Sequence, residues 1–162
     1  MKKIFLLPLF ALLVFSGCTS EELTYEDPYA DLNPDDFIVS DINLDIDAPT
    51  TAIVGETYDV TISVTNEAAK IQTITSIDIG ETYVDGIIFE GSTPEYGESW
   101  DFADMLGFYS YDYYIDIAPG ATETLLFHFT PFMSGDYQGD LDVCINLEDA
   151  CLFNTIRTVV SE

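Results

Sequence analysis

From Phe37 onward, apolar and polar residues alternate almost without interruption. In "IVSDINLDID", Ile42, Leu44 and Ile46 fall on one face, and Asp41, Asn43, Asp45 and Asp47 on the other. A period of two is the mark of a half-buried strand. "ETYDVTISVTN" repeats it with Tyr58, Val60, Ile62 and Val64 inward, and "IQTITSIDIG", "YVDGIIFEG", "ETLLFHFTP", "DYQGDLDVCIN" and "CLFNTIRTVV" follow. Clusters of Gly, Pro, Asn and Asp separate the runs, as in "GSTPEYGE", "APGAT" and "SGD". Short strands at this spacing predict an all-β domain over 37–162. The expected form is an immunoglobulin-like antiparallel β-sandwich of about seven to nine strands.

One segment reads differently. "ESWDFADMLGFYSYDYYIDI" (98–117) carries seven aromatic rings from Trp100 to Tyr114, including the only tryptophan. Ser99 is a good N-cap and Gly107 a good helix stop, so a short helix near 100–106 is expected. Phe102, Met105 and Leu106 would share its apolar face. Over 108–117 alternation returns, with Tyr109, Tyr111, Tyr113, Ile115 and Ile117 on one side. Phe108, Ser110, Asp112, Tyr114 and Asp116 take the other, and unpaired aspartates are costly to bury. The Tyr–Ile side therefore faces the core, and Phe102 is assigned to packing with it. Trp100, Phe108, Tyr114 and nearby Tyr96 remain as candidate ligand-binding rings. Asp101, Asp112 and Asp116 are candidate polar neighbours.

The start of the chain has another character. Lys2 and Lys3 precede twelve apolar residues (4–15), then Ser16, Gly17 and Cys18. The run is shorter than the roughly 20 residues of a membrane span and reads as a secretory signal over 1–17. Small–Gly–Cys after such a run resembles the lipobox of bacterial lipoproteins, with Phe15 where that family usually has Leu. The resemblance implies a lipid on Cys18 and a membrane anchor through it. Residues 19–36, "TSEELTYEDPYADLNPDD", are acidic, hold two prolines and have no apolar period. They read as a tether averaging ~25 Å end to end. The acidic residues soon after Cys18 resemble lipoproteins sent to the outer membrane, some of them surface-exposed.

Charge narrows the partners. Without the leader, Lys70 and Arg157 are the only full cations against 30 acidic residues, a formal charge of −28. Nucleic acid is excluded as a partner, and so is adhesion to anionic lipid through basic residues. A protein or glycan partner remains. With Cys18 lipidated, Cys144 and Cys151 form an even pair flanking "INLEDA". A loop at 146–149 sets them opposite each other in a hairpin, the position of a structural disulfide. The spacing is not that of a redox motif.

"VGETYDVTISVTNEAAKIQTITSIDI", Phe129-Thr130-Pro131 and Gly135-Asp136-Tyr137-Gln138-Gly139 resemble the immunoglobulin-like domains of the ASH/MSP and choice-of-anchor D type. CARDB-like adhesion modules share the first part. The resemblance covers 54–160 and implies an interaction or spacer module. Residues 95–117 depart from it, being longer and more aromatic.

Catalytic chemistry has no positive signal. His128 is the sole histidine, and in "LLFHFTP" it points outward if Phe127 and Phe129 point inward. One histidine and two bridged cysteines make zinc a poor expectation. "DINLDID" places Ile46 where a calcium loop of the EF-hand kind needs glycine. Weak calcium candidates are Asp35 and Asp36, and Glu148 and Asp149 at the hairpin tip. Among so many acids, carboxylate pairs at glycosidase spacing arise by chance and carry no information. No catalytic residue and no cofactor other than calcium is expected. The reading is a lipid-anchored, non-catalytic interaction module of the cell envelope, with a carbohydrate-binding module as the alternative.

Overall fold

The computed structural model describes residues 39–147 and 150–162. Two sheets pack face to face as an immunoglobulin-like sandwich. The four-stranded sheet runs β1 (Ile42–Asp47), β3 (Tyr58–Asn66), β8 (Thr122–Pro131), β5 (Ile87–Thr93). The larger sheet runs β2 (Thr51–Ile53), β11 (Thr155–Ser161), β9 (Gly135–Ile145), β4 (Gln72–Gly80), β7 (Phe108–Ile117), β6 (Ser99–Asp101). A short β10 (Cys151–Leu152) also pairs with β9. Eleven strands thus stand among the described residues, more than the seven to nine expected, because the sequence pattern resolves neither three-residue nor two-residue strands. The β2–β11 pair is parallel, an exception to the antiparallel expectation.

The alternating residues meet between the sheets. Val60, Ile62 and Val64 of β3 and Leu125, Phe127 and Phe129 of β8 face Ile74, Ile77 and Ile79 of β4 and Leu141, Val143 and Ile145 of β9. All are buried, each stabilising the fold by about 1.5–3 kcal/mol relative to exposure. Phe89, Phe127 and Phe129 form an aromatic centre, with ring centroids 5.2–6.4 Å apart.

A chain of hydroxyls crosses one end of this core. Thr158 Oγ1 donates to the Pro49 carbonyl at 2.8 Å, so its own oxygen accepts from Tyr83, 3.0 Å away. Tyr83 in turn accepts from Tyr58 at 2.7 Å. Burial pushes both phenols above their ordinary pKa. Tyr83 lies in α1 (Glu81–Val84), not in the strand expected for "YVDGIIFEG". Glycine spacing around Tyr137 has the same origin. A Cβ on Gly139 would stand 2.7 Å from the Tyr83 backbone nitrogen, and one on Gly86 would strike the Tyr137 ring. The Gly-Asp-Tyr-Gln-Gly motif is therefore a packing requirement of two buried tyrosines.

Cys144 and Cys151 are bridged and stand opposite each other in register. The Ile145 N–H donates to the Ala150 carbonyl at 2.9 Å, so the hairpin closes as its spacing predicts.

The short helix expected near 100–106 is present but begins later than its capping signals suggest. Ser99 is not its cap: Ser99–Asp101 forms β6 against β7, and only Ala103–Leu106 is helical (α2). The Asp101 carboxylate accepts from the Ala103 N–H at 3.0 Å, and Gly107 ends the turn at φ 81°, a conformation open to glycine. A short isolated helix is costly to nucleate, whereas Ser99–Asp101 adds to an edge that β7 already offers. Met105 and Leu106 are exposed rather than packed on the core.

Candidate functional site

The outer face of the larger sheet is built in rows across β9, β4, β7 and β6. Asp142 stands opposite Asp78, Asp78 opposite Ser110, and Ser110 opposite Trp100. The neighbouring row is Cys144, Ser76 and Asp112. Glu98 lies just beyond it, its carbonyl accepting the Asp112 N–H at 2.9 Å. A bulge between Ile74 and Ser76 makes this face possible. It reverses the alternation of β4, so that Ile74, Ile77 and Ile79 all reach the core while Ser76 and Asp78 emerge on the other side. Bulges commonly re-aim side chains in this way. At the same level of β7, Tyr114 adopts φ 52° and is 60% exposed.

Over these rows lies a groove of about 500 Å³. Trp100, Phe102, Leu106, Phe108 and Tyr114 wall it. Ser76, Asp78, Ser110, Asp112 and Glu98 supply its polar atoms. Trp100 is 49% exposed, and its indole N–H donates to Asp112 Oδ2 at 3.1 Å, which fixes the ring's orientation. Phe102 and Phe108 meet edge to face at 5.6 Å. The α2 turn carrying Phe102 and Leu106 is tied down twice, by Phe102 N–H to the Phe108 carbonyl and by Glu81 N–H to the Gly107 carbonyl.

Three of the four rings singled out from the sequence, Trp100, Phe108 and Tyr114, thus line one groove. Tyr96 does not. It packs on Tyr111 and Phe89, at 5.0 and 6.1 Å, and borders a separate hollow with Glu90, Glu95 and His128. Phe102, assigned to packing from the sequence, belongs to the groove wall instead. Of the acidic neighbours only Asp112 enters; Asp101 caps α2, and Asp116 accepts from Thr73 Oγ1 at 2.7 Å. Ser76 and Asp78 escaped sequence reasoning, because the bulge breaks the period from which their direction would be read.

His128 lies on the outer face of the smaller sheet, between Asp59 Oδ1 at 2.7 Å from Nδ1 and Thr93 Oγ1 at 3.2 Å from Nε2. Carboxylate, imidazole and hydroxyl follow the order of a nucleophile relay. Here the His128 and Asp59 side chains are 33% and 51% exposed, so water screens the base and its orienting carboxylate. Asp78 lies near both disulfide sulfurs, but those atoms are bonded to each other and offer no thiolate to a metal. Cys18, Asp35, Asp36, Glu148 and Asp149 lie outside the described residues.

No family model and no curated protein matches this sequence. Solved structures to which the chain is similar include alpha-2-macroglobulin from Escherichia coli, activated by porcine elastase, at 16% identity and TM-score 0.47. That match covers 75% of this chain but 9% of the macroglobulin. The CARDB domain of the PF1109 protein from Pyrococcus furiosus, in complex with di-metal ions, is similar at 14% identity and TM-score 0.42. It covers 75% of this chain and 88% of that domain. A cohesin module from a Clostridium perfringens family 33 glycoside hydrolase gives 10% identity and TM-score 0.47, covering 76% of this chain and 99% of the module. Identities this low carry nothing about ligands. What this chain has in hand for function is its own groove.

Proposed function

We propose that the chain is a non-catalytic binding module of the bacterial cell envelope, exported by its apolar leader and anchored by a lipid on Cys18, and that its groove takes a saccharide. One observation carries the ligand reading: Trp100, Phe108 and Tyr114 share a groove with Ser110 and Asp112 between them. The C–H faces of a sugar ring bear slight positive charge and stack on the negative face of an aromatic ring. Its hydroxyls donate to carboxylates beside that ring. The groove size falls within the usual range for small-molecule sites.

Trp100 is the only tryptophan, so its fluorescence reports the groove directly. A glycan panel titrated against the native protein yields at least one ligand that quenches this emission. Binding of that ligand, followed by calorimetry, is lost in Trp100→Ala. Absence of any ligand, or calorimetric binding indifferent to the substitution, overturns the reading. The anchor is tested separately: Cys18→Ser releases the protein from membrane fractions, and unchanged fractionation counts against the lipid.

A protein partner is the second reading. Met105, 77% exposed, and Leu106, 63% exposed, extend the groove's apolar rim onto the α2 turn. Met105→Ser weakens a protein partner held by that rim and leaves a saccharide inside the groove unaffected.

A further inference from the structure

We infer that the saccharide held by the groove carries a protonated amine: an amino sugar with a free amino group rather than a neutral or acidic sugar. This rests on the reading of the groove as a saccharide site and adds the ligand's charge.

The acidic side chains of the lining are Asp78, Glu98 and Asp112. Among the described residues, no lysine, arginine or histidine borders the groove. Acidic residues continue across the sheet: Asp142 stands opposite Asp78, and Asp140 lies two residues before Asp142 on β9. Burial and the nearby Asp140 charge both push the Asp142 carboxyl above its usual range. Arg157 cannot offset this field, because its guanidinium is engaged by Asp136 through two hydrogen bonds of 2.7 and 2.6 Å. Lys70 stands in the connection between β3 and β4, outside the groove lining.

The walls reinforce the floor. The faces of Trp100, Phe102, Phe108 and Tyr114 attract a cation placed over them, Trp most strongly. Carboxylates accept hydrogen bonds and donate none, and an ammonium group supplies three donors. Uronic, sulfated and sialylated sugars meet repulsion from floor and walls alike. A neutral sugar satisfies the walls but leaves the excess negative charge unanswered.

Three disaccharides of one linkage separate the possibilities: β-1,4-linked glucosamine, its N,N′-diacetylated form, and cellobiose. Each is titrated by calorimetry and Trp100 fluorescence, in low salt and at 0.15 M. The glucosamine disaccharide is expected to bind at least tenfold tighter than the other two, with a margin that narrows as salt screens the field. Asp112→Asn keeps an oxygen to accept the Trp100 indole N–H while removing the charge. That variant, melting like the parent, is expected to bring the three affinities within about threefold. Equal binding of all three by the native protein overturns the charge inference and leaves the saccharide groove standing. Tighter glucosamine binding that survives both Trp100→Ala and Asp112→Asn is general attraction to an acidic protein, and also overturns the inference. If no disaccharide binds but a lysine-bearing peptide quenches Trp100, the saccharide reading falls with it.

Discussion

Tyr111 and Tyr113 share β7 with Phe108 and Tyr114, yet the two pairs belong to different parts of the molecule. Tyr111 and Tyr113 turn inward, where Tyr111 meets Phe89 at 4.6 Å and Tyr113 meets Phe127 at 6.0 Å. Tyr113 also donates to Ser92 Oγ at 2.6 Å, and burial raises the phenol pKa of both tyrosines. Phe108 and Tyr114 turn outward, over Ser110 and Asp112. Inward rings are surrounded by other apolar groups and hold the sheets together. Outward rings leave apolar surface beside carboxylates, the kind of exposed patch from which the groove is proposed as a binding surface. A ring count across this segment therefore says nothing; the face on which each ring stands decides its role.

Substitutions on the two faces should separate stability from binding. Phe127→Ala, at the inward centre, is expected to cost about 3–5 kcal/mol in denaturant unfolding, since it removes a fully buried ring packed on Phe89 and Phe129. A much smaller loss would mean that the aromatic centre is loosely packed. Opening the Cys144–Cys151 bridge with a double Cys→Ser variant comes next, at ~2.5 kcal/mol for so short a loop. Two thiols labelled by an alkylating reagent in unreduced native protein would contradict the bridge itself. Trp100→Ala, on the outward face, is expected to change stability by less than about 1 kcal/mol while removing binding. If it unfolds the domain, the groove wall is structural after all.

The smallest effect sharpens the electrostatic side of the contrast. Asp142 is half-buried on the outer face, its carboxylate accepting the Asn154 N–H at 3.0 Å. Its pKa is raised, chiefly by burial and secondarily by Asp140. A raised folded pKa favours the protonated form, so the associated stability is present below the unfolded value near 3.9 and is lost as pH rises through the folded value. Asp142→Asn keeps the hydrogen-bond acceptor without the charge. It should raise the melting temperature at pH 7 by a few degrees at most, with the gain vanishing in acid, where the native carboxyl is protonated as well. An unchanged melting temperature at pH 7 would place Asp142 in better contact with solvent than its burial indicates.

Much of the sandwich was legible in the pattern of residues. Val60, Ile62 and Val64 point inward as their alternation demands, and His128 points outward because Phe127 and Phe129 do not. The hairpin carrying Cys144 and Cys151 follows from loop length alone. The α2 helix was legible but its start was not: Ser99 and Gly107 both look like helix boundaries, and only Gly107 acts as one. Local capping signals do not reveal that β7 offers a free edge for Ser99–Asp101 to pair with. Tyr96 was grouped with the groove rings because it is close in sequence, yet it packs against Tyr111 on the inward side.

Alternation by itself determined that this chain is built of half-buried strands, since a residue's side of a regular strand depends only on its parity; their closing into two packed sheets came from pairing between strands. It also determined that Phe108, Ser110, Asp112 and Tyr114 share a face. Tertiary structure decided what that face became. A bulge in β4 turned Ser76 and Asp78 outward to join it, and pairing of β6 brought Trp100 beside Ser110. Both depend on contacts between strands distant along the chain, and such contacts leave no period in the sequence.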